Sequence, residues 1–263
     1  QKIRDQTKLE NPPVSVRKRL LSNRFIGIAA SAILLLSVGI FLYHDFLGET
    51  LGNNDSIEVA YRTISTERGQ KRTINLPDCS KIRLNYESHV KIPEMFTASE
   101  RIVYLTGHAY FTVVKDPNRP FIIYTDNSKT QVLGTSFDIN TSKKEGETEI
   151  IVTSGKVTFS EIGQEVNKVT LAVNDKAVLS IDRSISTSEV YANRLTAWID
   201  NRLIFDGETL KEIIQVLEPW YDVQITVENE VLLTQDFKFS KDNPTISEVL
   251  DRLSFLGSFN YQM

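Results

Sequence analysis

The sequence predicts a mainly β protein with an α+β tail, carried behind a single N-terminal transmembrane helix. Three observations predict it. An uncharged apolar run extends from Phe25 to Tyr43. Short alternating runs split by turn residues fill 59–190. A switch to helical period then occurs twice within 195–263. The expected architecture is a β-sandwich or jelly-roll-like domain, followed by a small domain of repeated strand–helix–strand units.

At ~1.5 Å per residue the Phe25–Tyr43 run is about 28 Å long as a helix, close to the hydrocarbon thickness of a bilayer. Lys2, Arg4, Lys8, Arg17, Lys18, Arg19 and Arg24 precede it, whereas only Arg62 follows before Thr66. The positive-inside rule then puts 1–24 in the cytoplasm and everything after Tyr43 outside. A cleaved signal peptide would have a shorter apolar core and a small-x-small site, which "HDFLGET" lacks. Residues 1–24, broken by Pro12–Pro13, read as a basic cytoplasmic linker, and 44–58 as an acidic, turn-rich spacer. Gly27, Ala29, Ala30, Ser31, Ala32, Ser37 and Gly39 could ease local unwinding of the span, or simply pack helices.

Within 59–190, "KIRLN", "RIVYL", "AYFTVV", "FIIYT", "TEIIVTS", "KVTFSEI" and "KAVLSID" read as strands. "PDCS", "TGH", "KDPNRP", "SKKEGE", "SGK" and "AVND" read as the turns between them. Beyond 195, "TLKEIIQVL" puts Leu210, Ile213, Ile214 and Leu217 on one helical face, with Thr209 and Glu212 at capping-box spacing. "TISEVLDRL" repeats the scheme with Ile246, Val249, Leu250 and Leu253, boxed by Thr245 and Glu248. "LIF" and "DFKF" are the leading strands; "VQITV" (223–227) and the last residues to Met263 are the expected trailing ones.

The inventory of reactive groups is thin. A net charge of −4 exerts no overall pull on nucleic acid. Cys79 is the single cysteine, so no disulfide forms within the chain. His44, His89 and His108 have no metal spacing, and HExxH, CxxC, Walker, GxGxxG and GxSxG patterns are all missing. These residues give no metal site, no cofactor and no conventional enzyme. They suit a membrane-anchored binding or signalling module. Trp198, Trp220 and Tyr221 read as core or partner contacts, with glycan platforms as the other reading.

"VLGTSFDIN" (132–140) is the one stretch with latent chemistry. As a strand it aligns Leu133, Thr135, Phe137 and Ile139, and Gly134 before a threonine reads as a β-bulge. The same pair could also be a bond the chain itself cuts. The Thr135 hydroxyl would attack the Gly134 carbonyl carbon and form an ester that water opens. Asp138 is the nearest acidic residue in sequence but points to the opposite face of a regular strand.

The ordered phrases "GQKRTINLPDCSKIRLNYES" (69–88), "RIVYLTGHAYFTV" (101–113), "RPFIIYT" (119–125), "VLGTSFDI" (132–139) and "SGKV" (154–157) resemble the extracytoplasmic domain of the FecR family. "AWIDNRLIFDGETLKEIIQVLEPWYDVQI" (197–225) is similar to the Bacteroidetes-type tail of that family, a domain like the short N-terminal domain of secretins and TonB-dependent receptors. The resemblance implies an anti-sigma factor, or sigma-factor regulator, in the inner membrane. Its partners would be a cytoplasmic extracytoplasmic-function sigma factor and the periplasmic N-terminal signalling domain of a TonB-dependent outer-membrane transporter. It implies regulated proteolysis as the relay, and self-cleavage at Gly134–Thr135 in some members. Sigma-binding helices are expected upstream of Gln1. Two positions depart from the family phrases: Cys79 stands where the turn usually has glycine, and His108 where glutamate is common. A membrane-anchored periplasmic scaffold for glycan or a secretion component is the competing class.

Overall fold

The structure, a computed structural model, describes residues 36–43, 60–141 and 145–263. The chain divides into two units, Gln1–Glu58 and Val59–Met263. In the first, residues 36–43 are helical (α1), and Leu36, Ile40, Phe41, Leu42 and Tyr43 expose their apolar side chains. No helix among the described residues is long and apolar enough to cross a membrane. The span expected over 25–43 lies mostly outside them, as do the linker at 1–24 and the spacer at 44–58.

Among the described residues, the larger part of the second unit is a sandwich of fourteen strands in two seven-stranded sheets. One sheet takes β1 (Tyr61–Thr66), β4 (Ser88–Pro93), β5 (Arg101–Thr106), β7 (Phe121–Tyr124), β8 (Ser128–Val132), β11 (Val157–Glu161) and β12 (Val169–Leu171), in that spatial order. The other runs β14 (Ile185–Glu189), β13 (Asp175–Leu179), β10 (Thr148–Ser154), β9 (Ser136–Asn140), β6 (His108–Thr112), β3 (Lys81–Leu84) and β2 (Arg72–Asn75). Every pairing is antiparallel except β5 with β7, because the chain visits β6 in the opposite sheet between them. Alternation does the sorting. In β5, Val103 and Leu105 face the core while Tyr104 faces out. Ile82, Leu84, Phe111, Phe121, Phe137, Ile139, Ile150 and Phe159 fill the space between the sheets, and Phe111 stacks on Phe137 with ring centroids 5.3 Å apart.

"VLGTSFDIN" is not one strand. Val132 ends β8 in one sheet and Ser136 begins β9 in the other, so Leu133–Thr135 is a corner between the sheets. Leu133 therefore points into solvent, 46% exposed, while Thr135, Phe137 and Ile139 are buried. Nor is Gly134 a ladder bulge. The register shift lies across from it, between Val152 and Ser154 on β10.

After β14 a short helix α2 (Ala192–Leu195) and a 3₁₀ turn (Ala197–Asp200) lead into β15 (Arg202–Thr209), α3 (Leu210–Tyr221), β16 (Asp236–Asp242) and α4 (Ile246–Gly257). β15 and β16 form a two-stranded antiparallel sheet. Both capping boxes form as expected, with Thr209 accepting from the Glu212 amide and Thr245 from the Glu248 amide. A second, separate core collects Leu203, Phe205, Leu210, Ile213, Leu217, Phe239, Val249 and Leu253. The trailing strands do not form ladders. Residues 223–227 and 259–263 belong to no helix or sheet. The ends of the helices take up their first donors: Val223 N–H bonds the Glu218 carbonyl, Ile225 N–H the Glu218 carboxylate, and Phe259 N–H the Ser254 carbonyl. The observed repeat is thus strand–helix, and a cleft of about 970 Å³ opens between the two unpaired segments, floored by Ile214, Leu217, Leu250 and Leu253.

Candidate functional sites: the sandwich corner and the joint

At the corner, two glycines let three backbones meet. A Cβ on Gly134 would stand 2.5 Å from the Lys115 Cα, closer than packed atoms allow. Gly155, in a left-handed turn (φ +76°), faces it: a Cβ there would lie 2.9 Å from Thr135 Oγ1 and 3.1 Å from the Gly134 carbonyl oxygen. This close approach accounts for the glycine in both "VLGTSFDI" and "SGKV". Thr135 is 3% exposed, and its hydroxyl donates to the Lys156 carbonyl at 2.9 Å. Its own carbonyl accepts from Val113 N–H at 3.0 Å. Thr135 is therefore shielded from water while Gly134 is partly exposed, and the hydroxyl proton rests on a carbonyl, a weak base. Among the described residues no carboxylate or imidazole bonds Thr135. Asp138 turns to the other face of β9.

Asp138 instead belongs to a buried joint. Its Oδ2 lies 2.8 Å from His108 Nε2, and its Oδ1 accepts the Trp198 indole N–H at 3.0 Å. Asn85 Nδ2 meets His108 Nδ1 at 2.9 Å, which makes Nε2 the protonated nitrogen that donates to Asp138. The Trp198 ring packs over His108, with centroids 4.5 Å apart. His108 has no metal spacing in the sequence, and nothing in its neighbourhood there points to Asp138 as its partner or to the Trp198 ring packed over it. At 6% exposure Trp198 is no platform for glycan. Tyr221 is likewise engaged, its hydroxyl bonding the Pro244 carbonyl.

A second seam joins the turn after β1 to the end of α3. Gly69 N–H donates to the Pro219 carbonyl at 2.8 Å. Arg68 reaches Asp222 at 3.3 Å and Glu87 at 3.7 Å. Lys71 Nζ sits 3.1 Å from the centre of the Trp220 ring.

Behind the corner the turn "PDCS" is held from inside. Arg101 continues the inward face of β5 with Val103 and Leu105, and its guanidinium bonds Asp78 at 2.7 Å and the carbonyls of Val114 and Arg119. Asp78 also accepts from the Ser80 amide and hydroxyl. Cys79 adopts the left-handed conformation (φ +66°) that the family's glycine would take there. Among the described residues no group of three or more His, Cys, Asp or Glu side chains could hold a metal ion.

A two-sheet sandwich with a small α+β body fastened to it defines a class: a two-core β module with an attached α+β tail. A family model described as FecR protein matches residues 62–158, and one described as FecR, C-terminal matches 202–263. Together they take in more than half of the chain, which belongs to the FecR family. Two crystal structures of a Parabacteroides distasonis protein, provisionally designated an anti-sigma factor, share 25% identity and a TM-score of 0.66 with it. They match over 77% and 78% of this chain and 94% and 95% of theirs. Nothing among curated proteins matches.

Proposed function

We propose that this chain is an anti-sigma regulator of the inner membrane, with its N-terminus in the cytoplasm and its sandwich and tail in the periplasm. One observation carries the reading: FecR and FecR C-terminal regions follow in order behind an apolar segment with a basic flank on one side only. The tail is the part of the chain farthest in sequence from the apolar segment. Its segments at 223–227 and 259–263, which join no sheet, suit main-chain pairing with the signalling domain of a TonB-dependent outer-membrane receptor. A single span transmits a subtle tilt poorly, so the relay to the extracytoplasmic-function sigma factor runs through proteolysis. The chain turns over no substrate; the only bond chemistry proposed is the hydroxyl attack at Gly134–Thr135.

Purification of the full natural protein from membranes through a C-terminal tag, with mass spectrometry of what is recovered, tests both parts. Co-recovery of a sigma factor and a TonB-dependent receptor is the expected result; recovery of glycan or secretion components alone overturns the regulator. A fragment beginning at Thr135, lost in Thr135→Ala, is expected from self-cleavage. Two fragments persisting in Thr135→Ala would discard it.

A further inference from the structure

Lys71, just before β2, and Arg83, on β3, lie on the outer face of the sheet that the tail covers. Both converge on one acceptor. Lys71 Nζ donates to Asn201 Oδ1 at 3.2 Å, and Arg83 Nη2 to the same oxygen at 3.4 Å. Both bonds are long, and a single amide oxygen carries no charge to offset two cations. Arg83 Nε is buried and has no hydrogen-bond partner. Among the described residues neither Lys71 nor Arg83 has a carboxylate within ion-pair distance, and the acids at the neighbouring seam, Asp222 and Glu87, pair with Arg68. Lys71 also sits over the face of Trp220. Burial, with Arg83 adding to it, lowers the Lys71 ammonium to about 7. Elsewhere in this protein a buried cation is matched: Arg101 meets Asp78. Here two are brought together without an anion.

We propose that Lys71, Arg83 and Asn201 form a site for a small oxyanion, phosphate or carboxylate, at the joint between the sandwich and the tail. Lys71 has a third N–H to offer beyond Asn201 and Trp220, and Arg83 has its free Nε–H; one oxyanion can accept from both. Lys71, Arg83, Asn201 and Trp220 are each only partly buried. Asn201 holds the left-handed conformation (φ +55°) that ends the 3₁₀ turn, which fixes its side chain between the two cations. Occupancy neutralises the pair and ties β2, β3 and the start of β15 together. The site stands independently of the membrane relay.

The test is titration of the full chain, in detergent, with inorganic phosphate and separately with acetate, at constant ionic strength set by sodium chloride. Trp220 reports optically, because drawing the Lys71 ammonium off its ring changes its emission. A saturable change with a Kd of about 1 mM or tighter is expected. Lys71→Gln and Arg83→Gln should each weaken binding at least tenfold, and Lys71→Arg should retain it. Trp220→Phe should abolish the emission change while the calorimetric heat of binding remains, separating the site from Trp198. A response that fails to saturate, that sodium chloride alone reproduces, or that survives in the Lys71→Gln/Arg83→Gln double variant overturns the proposal. A response to phosphate without one to acetate assigns the site to tetrahedral oxyanions; the reverse assigns it to carboxylates.

Discussion

At the residue scale, two side chains in the β2–β3 turn region pull in opposite directions. Cys79 holds φ at +66°, a conformation that costs a non-glycine residue about 1 kcal/mol or more. Its side chain is exposed and free, so nothing obvious is lost with it. Cys79→Gly should therefore stabilise the chain by up to about 1 kcal/mol, less the extra freedom glycine gives the unfolded state. A higher denaturant midpoint at unchanged slope is the readout. Arg101 is the reverse case. It is fully buried, and Asp78 is its counter-charge. Removing either partner leaves an unmatched charge in the core, so Asp78→Ala should cost about 3–5 kcal/mol. Gly134→Ala meets the Lys115 backbone at 2.5 Å and should destabilise by about 2 kcal/mol or more, since backbone cannot yield as a side-chain tip can.

The helices of the tail follow one design at the element scale. Each is started by a threonine that accepts from the amide three residues on and a glutamate that reaches back to the threonine amide. Thr209→Ala and Thr245→Ala should each cost about 1 kcal/mol, read by helical circular dichroism on heating. The same bonds make the tail acid-sensitive. The Thr209 amide bonded to Glu212, and the Thr245 amide bonded to Glu248, hold both carboxyls below the usual glutamate range. The unfolded chain thus binds these protons first as pH falls. The stability they supply is full above the ordinary glutamate value and disappears as pH drops through the lowered one. A melting temperature measured from pH 6 to pH 3 should show this loss, and Glu212→Gln/Glu248→Gln should flatten it.

Across the whole molecule the two cores are fastened by a few polar contacts rather than by a continuous apolar interface. His108–Asp138–Trp198 and Gly69–Pro219 with Lys71–Trp220 are the fastenings. Trp198→Phe removes the N–H that Asp138 accepts, together with part of the buried ring, leaving a buried carboxylate oxygen short of a donor. It should lower stability by about 1–3 kcal/mol. It should also separate the unfolding of the tail from that of the sandwich, visible as two transitions where the native chain shows one.

Much of this was legible in the chain itself. The alternation of β3, β5–β7, β10, β11 and β13, both helical faces and both capping boxes depend on neighbours two to four residues apart, and local period reports such relations; β1, β2, β4, β8, β12 and β14 went unread, being short or, like β14, exposed along most of their length. The FecR phrases likewise carry turn chemistry that is local: Gly155 and the "PDCS" turn are readable because conformation at one residue dictates its type. Where contacts span the fold, the sequence is silent. It could not show that Val132 and Ser136 belong to different sheets, because a strand and a corner share the same alternation until pairing is known. Neither could it show that residues 223–227 lack a ladder, since a partner strand is a property of space and not of period. Arg101 in phase with Val103 and Leu105 was a signal available and unread, whereas the meeting of Lys71, Arg83, Asn201 and Trp220 joins positions as much as 149 residues apart. Local propensity set the elements; only tertiary packing, which alone decides which distant charges are buried together, made the corner and the joint.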